Sequence, residues 1–197
     1  MVVPRQIEPE FDAEYFAASQ KGEPHYLLEK LEPHLTGPGL ALDLGFGAGN
    51  TILWLVERGW KVVGIDRSSL AIETVLPRIP AGADVRLVEA DMESVDFPDV
   101  DLAVAMFCLF MVPRNRFPKL WKRLKDSLPK GGLVAVSLLG IRDEWNDGMR
   151  TVHSSRAARA LFRQFDVLHW EEQEREGKTI VEKAKYWHIF HVVAKKR

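Results

Sequence analysis

The chain has 197 residues, 46% of them hydrophobic, which suffices for one sizeable core and predicts a single domain over residues 1–197. A formal net charge of −1 provides no global field toward nucleic acid or an anionic membrane. A lone cysteine, Cys108, excludes an internal disulfide framework and fits a reducing compartment.

The opening "MVVPRQIEPEF" is too polar and acidic for a secretory signal, and no apolar run approaches the roughly 18 residues of a membrane span. The expectation is a soluble, cytoplasmic protein with no membrane or nucleic-acid partner, a monomer or homodimer. In "YFAASQKGEPHYLLEKLEPHL", Tyr26, Leu27, Leu31 and Leu35 fall at helical spacing, with Pro24 placed to open the helix; residues 1–36 are read as a helical cap. "GLALDLG" is a buried strand, and "AGNTILWLVERG" a helix stopped by Gly59. "WKVVGID" is a second strand, followed by a helix that Ser68 or Ser69 can cap. "DVRLVEAD" and "DLAVAMF" are strands three and four. The helix near 115–128 carries its basic residues on the solvated side and ends at the turn "PKGG". "LVAVSLLG" is strand five. A helix over 155–165 and two long extended segments around the turn "GK" complete the chain as an antiparallel hairpin. Alternating strands and helices predict an α/β, Rossmann-like three-layer sandwich whose mostly parallel sheet is finished by the hairpin.

The chemistry concentrates where the first strand turns into its helix. Ligands of an open α/β sheet sit beyond the carboxyl ends of the strands, and Gly45, Gly47 and Gly49 lie there. A dinucleotide fingerprint needs glycine at the position Asn50 holds. Asp43 would also stand near a pyrophosphate, and like charges roughly 4 Å apart repel by about 4 kcal/mol at an effective dielectric near 20. A cationic ligand reverses that sign. Asp66, 23 positions after Asp43, ends the second strand, where a carboxylate can accept from ribose hydroxyls. Asp91 can accept from an adenine amino group, with Met92 as an apolar wall. Taken singly, each aspartate has a plain turn or cap reading; three at successive strand ends form one constellation.

The segments "LDLGFGAG", "VVGID", "VEADME", "FPDVDLAVAMF" and "LPKGGLVAV", in this order, resemble the class I S-adenosylmethionine-dependent methyltransferases. The resemblance runs from about Tyr15 to the end of the chain. It implies a seven-stranded sheet with an antiparallel last strand and S-adenosylmethionine as cofactor, converted to S-adenosylhomocysteine. By position it implies cofactor contacts at Tyr15, His25, Asp43, Gly45, Phe46, Gly47, Gly49, Asn50, Asp66, Arg67, Asp91, Met92, Met106 and Phe107. Within the family, "EYF", His25, "PRNRFPKLW" and the closing "VVAKKR" are similar to the small-molecule tellurite-resistance methyltransferase group. Phe46 replaces the cysteine usual in that group's glycine loop, and Asn50-Thr51 replaces Arg-Asn, so the likeness extends to the donor and not to the acceptor.

Methyl transfer demands alignment of nucleophile, methyl and sulfur with water kept out, and a base only where the nucleophile arrives protonated. No triad is present. His25 and His153 are the candidate bases, Cys108 reads as a small buried residue, and no metal ligand set is expected. The missing D/N-P-P-Y/F after strand four, where "AMFCLFMV" stands, and the missing Pro-Cys pair argue against amide, adenine and cytosine acceptors. A small-molecule acceptor is expected, enclosed by the N-terminal segment and by a candidate lid at 140–154. Phe110, Trp145 and Met149 are the candidate pocket residues, with Asp143 and Glu144 solvated or facing a cation. The rival readings are a non-catalytic S-adenosylmethionine-binding module acting through a partner and, disfavoured by Asn50 and Asp43, a nicotinamide-dependent oxidoreductase.

Overall fold

The computed structural model describes residues 9–197, with side chains from Ala13 onward; the first eight residues of the expected cap lie outside the described residues. Helices α1 (Pro9–Ser19) and α2 (Leu27–Leu31) precede the sheet. Strands β1 (Leu40–Leu44), β2 (Lys61–Asp66), β3 (Val85–Glu89), β4 (Leu102–Ala105) and β5 (Leu133–Gly140) are linked through α3 (Asn50–Glu57), α4 (Ser69–Val75) and α5 (Phe117–Asp126). A short β6 (Val152–His153), α6 (Ser155–Leu161), β7 (Phe165–Lys178) and β8 (Ala184–Lys196) follow. The strand order is β3-β2-β1-β4-β5-β8-β7, with β6 beside β5. Strands β1 to β5 run parallel, while β8 is antiparallel to both β5 and β7. The expected architecture is thus present, with one short extra strand.

The near-continuous apolar runs of the central strands follow from burial on both faces. Ala41, Leu102, Val104, Leu133 and Ala135 pack with Leu27 and Leu31 of α2, Ile52 and Leu55 of α3, and Val75 of α4. Their neighbours Leu42, Leu44, Ala103, Val134 and Val136 face the opposite layer, where Leu120 and Leu124 of α5 and Ala158 of α6 pack. Alternation along each strand thereby joins two cores through one sheet. The order reverses between β1 and β4, and the site lies above that point.

Four local expectations are corrected. Helix α2 begins at Leu27 behind an N-cap at Tyr26, so Pro24 precedes the helix without opening it. Ser68 occupies the N-cap of α4, but its side chain makes no capping bond; the entry is held by Asp66, whose Oδ1 accepts from the Ser68 N–H at 3.0 Å. Helix α6 ends at Leu161, because Phe165 already pairs with Lys196 in the hairpin. The hairpin reverses over 179–183 and not at Gly177-Lys178, which stay in the ladder opposite Lys185 and Ala184. Gly177 serves a different purpose: a Cβ there would stand 2.8 Å from the Arg175 guanidinium.

Candidate functional site

The loop from β1 to α3 is shaped by close approaches. Gly45 has φ +61°, and a Cβ on it would lie 2.4 Å from Cys108 Cβ. At Gly49, φ is +81° and a Cβ would lie 2.0 Å from Val75 Cγ2. Only glycine meets both demands at once. The Gly47 N–H donates to Asp66 Oδ2 at 2.9 Å, which locks the loop onto the end of β2. Asn50 lines the cavity and is also bonded to its neighbours. Its Nδ2 donates to the Ser19 and Gly22 carbonyls and its Oδ1 accepts from Arg78, so it pins the N-terminal cap to the loop. Phe46 lies on the cavity wall and packs over Gly64 of β2.

These residues line a cavity of about 650 Å³, within the range of small-molecule and cofactor sites. Asp43, Asp66 and Asp91 all reach it, as do Tyr15, His25, Arg67, Met92, Met106 and Phe107. Asp43 is the unusual member. It is 2% exposed, and its Oδ2 has no hydrogen-bond partner among the described residues. Burial, and then the charge of Asp66, push its carboxyl well above the usual carboxylate range. An orphaned buried acceptor at a ligand cavity is matched by a cationic ligand. Both Asp66 oxygens accept one backbone N–H each, and each keeps a lone pair for a further donor. Asp91 is exposed and closes a turn through Oδ1 to the Glu93 N–H at 2.9 Å. Phe107, at the end of β4, has φ +54°, a conformation costly for an aromatic residue and frequent where a side chain must be aimed at a ligand.

The far half of the cavity is aromatic. His25 lies 5.2 Å from Phe107 and 4.8 Å from His191, centroid to centroid. Burial lowers His25 to about 4 and His191 to about 3, so both are neutral at pH 7. His25 Nδ1 accepts from the Leu27 N–H at 3.2 Å, while His191 Nδ1 pairs with Ser137 Oγ at 3.0 Å. Phe110 and Trp145 line this half as expected. Cys108 is buried and donates to the Leu44 carbonyl, the structural role expected of it.

Several candidates sit elsewhere. His153 lines a separate cavity on the α5–α6 face, against Phe117, because β6 extends the sheet on that side. Met149 is 52% exposed and lies off the cavity wall. Asp143, read as solvated or facing a cation, is buried against Lys185 and also accepts from the Trp145 and His188 N–H groups, each at 2.9 Å. Glu144 accepts from the Tyr186 N–H at 2.7 Å. The segment 140–154 is therefore tied to β8 as a wall. Gln173, Arg175, Ile180, Val181, Trp187, Ile189 and His191 of the hairpin also line the cavity. Sequence reading missed them, although the alternation of "EEQERE" against "YWHIFH" carried the signal that one face collects Gln173, Arg175, Trp187 and His191. Glu172, Glu174 and His188 bring ligand-type atoms within 4.8 Å of one another, but the Arg142 guanidinium already bridges the two glutamates.

Residues 41–132 match the family described as methyltransferase domain. The trans-aconitate 2-methyltransferase of Rhodococcus jostii is 31% identical over 124 residues, covering 62% of this chain and 46% of that protein. The ribosomal RNA small subunit methyltransferase C of Alcanivorax borkumensis is 35% identical over 80 residues, covering 40% of this chain and 25% of that protein. The chain thus spans less than half the length of either relative. TehB from Haemophilus influenzae superposes with a TM-score of 0.79 at 16% identity over 94% of this chain and 67% of that one, a likeness of fold. Over residues 41–132 the chain is thus similar to methyltransferase domains, and its fold is one that solved methyltransferase structures share.

Proposed function

We propose that this methyltransferase domain binds S-adenosylmethionine across the ends of β1 to β4 and transfers its methyl group to a small-molecule acceptor. The observation that carries the reading is the set of three strand-end carboxylates, Asp43, Asp66 and Asp91, on one cavity with a glycine loop. When bound, the cofactor supplies a methyl group on a positively charged sulfur. Asp43 answers the cationic methionine end, Asp66 accepts from the ribose, and Asp91 with Met92 borders the adenine. Met106 and Phe107 separate donor from acceptor, and Tyr15 covers Gly47, its Oη 3.3 Å from where a Cβ would stand. In the transfer a carbon–sulfur bond breaks as a carbon–nucleophile bond forms, leaving a neutral thioether.

The acceptor side favours alignment over proton transfer. His25 and His191, lowered to about 4 and 3, are weak bases at neutral pH, so the nucleophile arrives with its lone pair free. His153, on the other cavity, takes no part. The net charge of −1 supports a small molecule over nucleic acid, and the segment 140–154 serves as the acceptor's wall.

Calorimetric titration with S-adenosylmethionine, S-adenosylhomocysteine and NADH, repeated on Asp66→Ala, tests the reading. Micromolar binding of the first two, lost in the variant, is expected. Binding of NADH alone would overturn it.

A further inference from the structure

The acceptor half of the cavity is built largely by the C-terminal hairpin, and its charge is placed unevenly. Glu171, Gln173 and Arg175 of β7 stand opposite His191, Ile189 and Trp187 of β8, so all six share one face. From His191 to Trp187 the strand advances four residues, about 13 Å at roughly 3.3 Å each. At the inner end His191 stacks near His25 and Phe107, 4.8 and 5.7 Å away. Ser137, bonded to His191, also reaches Met106 Sδ at 3.7 Å, so this end adjoins the donor.

Arg175 marks the outer end. It forms no ion pair among the described residues, and its side chain makes one long bond, Nε to Gln173 Oε1 at 3.4 Å. Its neighbours are neutralised: Lys178 by Glu182 at 2.6 Å, Arg142 by Glu174, and Lys185 by Asp143. Arg67, also on the cavity wall and without an ion pair among the described residues, stands at the opposite end beside Asp66. Between His191 and Arg175 the wall carries Ile189, paired with Gln173, and Trp187 stands opposite Arg175 at the outer end. Lys185, which does not line the cavity, lies 3.8 Å from the Trp187 ring and 4.5 Å from Trp145. Those rings are thus already engaged by a cation and offer less to a second one.

We propose, resting on the methyl-transfer reading above, that the acceptor is an elongated carboxylate. Its methyl-accepting atom lies beside Phe107, His25 and His191, and its carboxylate is held by Arg175. The two ends are on the order of 10 Å apart, set by the strand rise between the two cross-strand pairs. An apolar body fills the span.

The test is calorimetry on protein saturated with S-adenosylhomocysteine, using 4-biphenylcarboxylate, its neutral carboxamide and benzoate as probes. The biphenyl acid should bind about tenfold tighter than its amide, the yield of one partly exposed charge-assisted pair, and tighter than benzoate, which is too short to span. Arg175→Gln should equalise acid and amide while leaving S-adenosylhomocysteine affinity unchanged. Equal binding of acid and amide, a preference that survives Arg175→Gln, or no binding of either biphenyl probe would each overturn the proposal. Failure of S-adenosylhomocysteine itself to bind would instead bring down the reading on which the proposal rests.

Discussion

Asp43→Asn probes the charge beside the glycine loop with almost no change of shape. In the free protein the Asp43 carboxyl is raised well above its ordinary value of 3.8 by burial and by Asp66. A group raised in the folded state contributes stability that is complete below its unfolded pKa and is lost as pH rises through the folded one. Near neutral pH the free protein therefore holds either a proton or an unpaired buried charge at this position. A cationic ligand about 4 Å away gains about 4 kcal/mol at an effective dielectric near 20. Releasing the proton subtracts about 1.4 kcal/mol for each unit by which the pKa exceeds the solution pH. The net expectation is S-adenosylmethionine binding weakened about 10- to 100-fold in Asp43→Asn. Titration in phosphate and in Tris, whose ionisation heats differ, counts the protons. The native chain should release more protons on binding than the variant, and increasingly so as the pH is lowered through the raised range of Asp43. Asp43→Asn binding within threefold of the native chain, with the same proton count, would refute the charge argument.

Asp143→Asn should cost about 3–5 kcal/mol, because it strands a buried ammonium and weakens the acceptor of two backbone N–H groups; at this chain length that lowers Tm by roughly 10 °C. The double variant Asp143→Leu with Lys185→Met should recover most of the loss by the same thermal scan. Gly49→Ala should destabilise by more than about 1 kcal/mol from its left-handed backbone alone, with the Val75 clash added, and Val75→Ala should relieve part of it in urea titrations. His25, His153 and His191 have folded values lowered to about 4, 4 and 3. The stability they contribute is present above the ordinary 6.5 and is lost as pH falls through those folded values. Tm should fall steeply on acidification from pH 6 to 4, less so in His191→Gln.

The glycine-loop end of the cavity was legible because its determinants are local. A strand, a glycine turn and a helix follow one another from Leu40 to Glu57, and the carboxylates of β2 and β3 recur at the same topological point of each repeating unit. Periodicity likewise fixed the parallel sheet and the closing hairpin. The aromatic half of the cavity was not legible, because it is assembled across large separations in the chain. His25 meets His191, and Tyr26 donates to Glu171 at 2.6 Å, pairings that depend on β8 inserting between β5 and β7. Asp143 looked solvated in a loop rich in charge, yet Lys185, on a strand 42 residues later, draws it into the interior. His153 looked available, but two residues of added strand turn it to the far face. Sequence thus determined the fold and the place of the glycine loop with its carboxylates, through short-range patterning of turns and apolar residues. Only the tertiary structure decided which side chains line the aromatic half of the cavity, since cross-strand register sets that and no local signal encodes it.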